Sequence, residues 1–187
     1  MKFSWTKIDV ISSVSQRGLA LYWDRLESGV ALPALSKFEP SERLHEAKLF
    51  MYSTVKFDGD RCRYLIDRYG SRLLDASGVD GHGKFLDTII PEGLKIQALA
   101  AYDHCRLNKC LIYTVATTTD KEGRDVQYER LLLPFSEDQV RVDHIVSSLH
   151  LISTEGTFLR QSLLGSRANS LRYTLASMIK PGFTSCD

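Results

Sequence analysis

Five histidines, four cysteines and a scatter of tyrosines and arginines are the side chains of this chain that could bind or react. A zinc site built on His104, Cys105 and Cys110 would need a fourth ligand. It would also need convergent geometry, which neighbours on one helix do not supply because they point about 100° apart. The other histidines, His45, His82, His144 and His150, have no His-Glu-x-x-His or comparable spacing, so no metal is expected. Nucleophilic catalysis needs a serine or cysteine on a strained turn with a base in reach, and no Gly-x-Ser-x-Gly or cysteine-protease signature is present. The glycine-rich run Gly78-Val79-Asp80-Gly81-His82-Gly83 lacks the lysine and serine or threonine of a phosphate loop, and no strand precedes it, so it reads as a loop. The expectation is a chain with no catalytic residue.

Binding chemistry is the stronger prospect. Strand side chains alternate, so Tyr113, Val115, Thr117 and Thr119 share one face, as do Val126, Tyr128, Arg130 and Leu132 on the next run. Polar groups among them could orient a ligand, with Tyr64 on an earlier run, His104 on a helix and His144 between Val142 and Val146. Tyr64, His104, Tyr113, Tyr128, Arg130 and His144 are therefore the candidate ligand-binding residues. The ordinary alternative makes each tyrosine a packing residue with a wet hydroxyl and pairs Arg130 with a carboxylate across the sheet.

These residues need elements to hold them. Leu19, Tyr22, Trp23 and Leu26 recur at helical spacing over Arg17 to Ser28, and Gly29 stands where a left-handed cap would end that helix. Prolines make the stretch Leu32 to Pro40 extended, and Ser41 can cap a short helix through Ala47. Leu49 to Phe57 and Arg61 to Tyr69 alternate around Asp58-Gly59, which predicts a hairpin. Short helical or turn segments follow at Ser71 to Asp75 and Lys84 to Ile90. Pro91 suits the first position of the main helix, whose stripe is Leu94, Ala98, Ala101 and Cys105 and which extends to about Leu107. Cys110 to Thr119, Val126 to Pro134 and about Gln139 to Ile152 read as three strands in meander order. The fold class expected is α+β, a five-stranded antiparallel sheet with helices on one face.

From Gly156 to Cys186 the chain has Arg160, Arg167, Arg172 and Lys180 and no acidic residue, with Leu164, Ala168, Leu171, Leu175 and Ile179 at three-and-four spacing. The expectation there is a basic amphipathic helix that docks, self-associates or makes weak contact with an anionic membrane surface. The division expected is an N-terminal extension over 1–16, one domain over 17–152 and the tail over 153–187.

Composition narrows the class. At 187 residues, 43% hydrophobic and 25% charged, the chain can bury one sizeable core, and its net charge of +1 sets up no field that would draw in nucleic acid. The cysteines lack the density of a disulfide framework, and no run approaches the ~20 apolar residues needed to cross a bilayer. No leader is evident at Met1-Lys2-Phe3-Ser4-Trp5, so a cytoplasmic location is expected.

The order of elements and several local sequences resemble the PAS domains, specifically the compact, stand-alone bacterial variety that begins with an amphipathic helix. The carriers lie within about 20–152: Tyr22-Trp23-Asp24 with Gly29 and Leu32-Pro33, the strand end Tyr69-Gly70-Ser71, the turn Asp80-Gly81-His82-Gly83-Lys84, and Glu129-Arg130-Leu131-Leu132-Leu133-Pro134. That resemblance implies a sensory or interaction module with a small molecule, or none, between sheet and helices, signalling through flanking helices or a dimer contact. Among specialised PAS sites, Asp103-His104-Cys105-Arg106-Leu107-Asn108 matches the flavin-cysteine run of light sensors only at Cys-Arg and Leu. His104 as a haem ligand competes with plain solvation on a helix side that carries Lys95, Gln97, Asp103 and Arg106. Neither flavin nor haem is expected.

The expected function is a non-enzymatic signalling module. Its partners would be a second copy or another protein, met through Leu19, Tyr22, Trp23 and Leu26 of the first helix. Two other classes stand beside it: a cone-shaped isomerase or dehydratase using Asp103, His104 or His144, and a ligand-free structural adaptor.

Overall fold

Residues 125 to 135 carry Val, Tyr, Leu and Phe with almost no turn former, and in the computed structural model they make the longest strand of the sheet. The structure describes residues 2–27, 30–39, 50–119, 125–153, 172–180 and 182. The strands are β1 (Ser4–Thr6), β2 (Phe50–Asp58), β3 (Arg61–Tyr69), β4 (Leu111–Thr119), β5 (Asp125–Phe135), β6 (His144–Ser153) and β7 (Arg172–Ile179). The helices are α1 (Val14–Glu27), α2 (Ser71–Ser77), α3 (Leu86–Ile89) and α4 (Glu92–Asn108), with single 3-10 turns at Ile8–Val10 and Leu35–Lys37.

The strands form one seven-stranded sheet in the order β1-β7-β4-β5-β6-β2-β3. All pairings are antiparallel except β1 with β7, which is parallel, Ser4 lying opposite Ser177. The expected five-stranded antiparallel sheet is thus corrected to a seven-stranded mixed one, and only the α+β class stands. The C-terminal helical extension is corrected as well, because Arg172–Ile179 is a strand paired along β4. The N-terminal extension adds a strand of its own, so both flanks of 17–152 feed the same sheet. The expected Ser41 to Ala47 helix, the Gly29 cap and residues 154–171 of the tail lie outside the described residues.

Helices cover both faces, where one was expected. Cross-strand partners share a face, so the register sorts the side chains: Arg130 lies opposite Thr114 on β4 and Leu149 on β6, whereas Glu129 lies opposite Val115 and His150. On the Arg130 face sits α4, with Leu94 packed with Ala116 and Tyr128, and Tyr102 in ring contact with Tyr64 of β3. On the Glu129 face sits α1. Trp23, fully buried, donates its indole N–H to the Pro134 carbonyl at 2.7 Å, and Gln16 donates to the Ser148 carbonyl of β6 at 2.9 Å and the Glu129 carbonyl of β5 at 3.3 Å. Asp24 of α1 accepts the Gly182 N–H at 2.6 Å, which ties this helix to the segment after β7.

The β2–β3 hairpin turns at Asp58-Gly59-Asp60, where Gly59 takes a φ of +58° that a side chain would oppose. A bulge between Tyr52 and Ser53 resets the pairing, so Ser53 faces Ile66 and Val55 faces Tyr64. Helix α4 ends in Lys109, a non-glycine residue in the left-handed conformation at φ +50°.

Candidate functional site

Strand β5 holds two adjacent charged residues that are both buried, Glu129 at 3% and Arg130 at 7% exposure. Alternation sends them to opposite faces, so they cannot neutralise each other. Each meets a different layer.

On the α1 face, the Glu129 carboxylate accepts the Ser13 N–H at 3.2 Å, and the Tyr113 hydroxyl accepts the Ser12 N–H at 3.2 Å while turning its own proton toward Glu129. Burial first, and the neighbouring carboxylate besides, raise the Tyr113 phenol above its ordinary range, against the pull of the Ser12 N–H. This cluster holds the start of α1 on the sheet and satisfies the carboxylate with neutral donors.

On the α4 face, the Arg130 guanidinium donates to the Tyr173 hydroxyl of β7 at 2.8 Å and lies 5.8 Å from the centre of the Tyr102 ring. Among the described residues no carboxylate approaches it within ion-pair distance, so the cross-sheet pairing of the alternative reading is not found there, and its Nε has no acceptor. A guanidinium keeps its charge in proteins, so this is a desolvated cation without a counter-ion among the described residues. Tyr128 and Tyr173 bring their hydroxyls together beside it. Burial, then Tyr173, raises Tyr128, and Arg130 opposes the rise.

Other polar atoms in the same layer lack partners among the described residues. Thr114 Oγ1, on the residue directly across from Arg130, is buried and unbonded, as are Ser147 Oγ, Ser53 Oγ, the Tyr102 hydroxyl and Gln97 Oε1 of α4. Burial pushes the Tyr102 phenol up to about 12, against Arg130 and the Ser147 hydroxyl, which lower it; the Tyr102 and Ser147 oxygens nonetheless miss hydrogen-bond geometry. Buried polar groups are ordinarily satisfied, and leaving one unmet costs roughly 1–3 kcal/mol. With several of them in the layer that holds Arg130, this layer is the candidate site. Its walls are apolar at Leu94, Ala116, Ile90 and Leu149.

The sequence candidates divide between the layers. Tyr128 and Arg130 are in the α4 layer. Tyr64 shares that layer at its β3 side, where its hydroxyl donates to Asp103 Oδ1 at 2.6 Å; burial and that carboxylate raise its phenol well above the ordinary range. Tyr113 lies on the α1 face, because the register pairs even-numbered residues of β4 with even-numbered residues of β5. His144 lies opposite Phe135 on that same face, with its Nδ1 3.1 Å from Thr54 Oγ1. The single Thr54 proton goes to Asp67 at 2.6 Å, so His144 Nδ1 is the donor in its pair. His104 packs its ring on Phe3 with centroids 4.1 Å apart, away from Arg130. Leu19 and Trp23, expected at an interface, are buried against the chain's own sheet, while Tyr22 and Leu26 are partly buried beside them.

Tyr102 and Tyr173 went unnoticed in the sequence. Tyr102 stands one residue after the apolar stripe position Ala101, and Tyr173 falls in the stretch read as a helix.

Among the described residues no three His, Cys, Asp or Glu side chains gather as metal ligands would, and no helix is long and apolar enough to cross a membrane. The fold class this geometry defines is α+β with a buried polar layer between one long helix and a mixed sheet. Comparison with family models, with curated proteins and with solved structures found no match for the chain.

Proposed function

We propose that this chain is a non-enzymatic regulatory module of the PAS type, located in the cytoplasm, that holds a small molecule between α4 and the sheet and signals by changed contacts of its terminal segments with a partner protein or a second copy. The observation that carries the reading is the row of buried polar atoms on one side of the sheet that have no partner among the described residues: Arg130 Nε, Thr114 Oγ1, Ser147 Oγ, the Tyr102 hydroxyl and Gln97 Oε1. A purely structural layer would favour apolar or mutually bonded groups there.

The local topology supports the same reading. Strands β4, β5, β6, β2 and β3 are contiguous and antiparallel out to the β3 edge of the seven-stranded sheet, and α4 lies across β4 and β5. Tyr173, which accepts from Arg130, belongs to β7, so a ligand that took the guanidinium would disturb β7 and, through it, β1 and the terminal segments. Population shift then requires only that the ligand bind one arrangement more tightly than the other.

The test is native mass spectrometry of the purified chain, followed by a ligand-observed NMR screen of small polar molecules. A bound or saturably binding small molecule, displaced or weakened in Tyr102→Phe or Thr114→Val, is the expected result. A chain that retains nothing and binds nothing in the screen would refute the sensor reading in favour of a filled structural adaptor.

A further inference from the structure

We infer that the ligand of this layer is a small organic monocarboxylate, anchored by Arg130 with its apolar part toward Leu94 and Leu149. The inference deepens the sensor reading and rests on it.

Charge is the first argument. The guanidinium has five N–H donors, and the described residues take one of them, through Tyr173 at 2.8 Å. Water can accept the remaining hydrogen bonds but cannot neutralise the charge, and a cation left unpaired inside a protein is among the costliest arrangements. The only charged neighbour along the strand, Glu129, points to the other face and is occupied by Ser13 and Tyr113. A bound carboxylate would neutralise the cation and accept from it in the two-pronged geometry that the guanidinium fork favours.

Donor count sets the class of anion. Around Arg130 the unmet groups are the hydroxyls of Thr114, Tyr102 and Ser147, each able to donate one proton, and Tyr102 keeps its proton because burial raises its phenol to about 12. Among the described residues no second buried cation joins them. A phosphate dianion would bring one charge too many for a single guanidinium, whereas a monocarboxylate matches it. The flanking surface is hydrocarbon, with Leu94, Ala116, Ile90 and Leu149 together beside Tyr128 and Tyr173. That wall favours an aliphatic or aromatic tail over a second polar end.

The experiment uses the full chain at constant ionic strength. Thermal unfolding and titration calorimetry are run with acetate, butyrate and octanoate, with octanamide as the neutral isostere, and with inorganic phosphate. Expected are saturable binding of a monocarboxylate that strengthens with tail length, at least tenfold weaker binding of octanamide and of phosphate, and at least tenfold loss in Arg130→Met. Arg130→Lys, which keeps the charge without the fork, and Thr114→Val should each weaken binding several-fold while retaining the far-ultraviolet dichroism of the parent. They decide the matter if Arg130→Met does not fold. Equal binding of octanoate and octanamide, or unchanged octanoate binding in Arg130→Lys and Thr114→Val, overturns the carboxylate assignment but leaves a small-ligand site. Failure of every carboxylate, with a neutral molecule binding in the wider screen, does the same. Failure of all molecules in both experiments removes the site as well.

Discussion

Replacing Trp23 by alanine asks whether α1 is an internal brace or a signalling surface. The side chain is fully buried between α1 and the sheet, and its indole N–H meets the Pro134 carbonyl at 2.7 Å. A tryptophan buries roughly 200 Å², which at ~25 cal/mol per Å² is about 5 kcal/mol of burial as an upper figure. Alanine keeps part of that, and large-to-small replacements of tryptophan cost about 3–5 kcal/mol, the lost hydrogen bond to Pro134 included. A loss near 4 kcal/mol lowers Tm by roughly 8–16 °C for a chain of this size. Urea unfolding followed by circular dichroism measures it directly. Fluorescence gives a second check, since the other tryptophan, Trp5, is 48% exposed, and its emission alone should be shifted to the red. A loss below about 1 kcal/mol, accompanied by dissociation of a larger species in sedimentation, would refute the brace and restore Trp23 to an interface.

Three further outcomes follow from local geometry. Between pH 10 and pH 12 the folded state holds the Tyr102 proton that the unfolded chain releases, since burial raises this phenol to about 12. Its contribution is therefore whole below the unfolded value and is lost as pH rises through the folded one, so the urea midpoint should fall less steeply over that window in Tyr102→Phe than in the parent. Gly81→Ala should destabilise by about 1–3 kcal/mol in thermal melts, because a Cβ there would stand 2.7 Å from Cδ2 of the Tyr69 ring. Lys109→Gly should raise stability by roughly 0.5–1 kcal/mol, since only glycine takes the left-handed turn after α4 without steric cost; an unchanged or lowered midpoint would contradict it.

The central elements were legible because their patterns are strong. Alternation and β-branched residues mark β2 to β5, and Pro91 with the Leu94, Ala98, Ala101 and Cys105 stripe marks α4, four of whose buried positions these are. The tail was misread for a specific reason. Leu171, Leu175 and Ile179 are four residues apart, and four is a near-multiple of the helical repeat but also twice the strand repeat, so the same spacing lines up one face of either element. In β7 the strand period shows only over the four residues Arg172-Tyr173-Thr174-Leu175, where exposed and half-buried positions alternate; Ala176 to Ile179 are all buried and do not extend it. Strand β1 is three residues long and has no period to detect.

The site was half legible for a different reason. Alternation alone brought Tyr128 and Arg130 together, but which residue of β4 lies across from them depends on register, which local sequence does not encode. Even-to-even pairing makes Thr114, rather than Tyr113, the neighbour of Arg130. Tyr173 reached the site through the unforeseen strand.

The adjacency of Glu129 and Arg130 has one more effect, on how β5 is threaded. A slip by a single position would deliver a carboxylate among the tyrosines and a guanidinium against Gln16 and Ser13, stranding both ions at once. Two consecutive ions of opposite sign, each tolerated on one side alone, thus act as a key that fits its slot in only one setting.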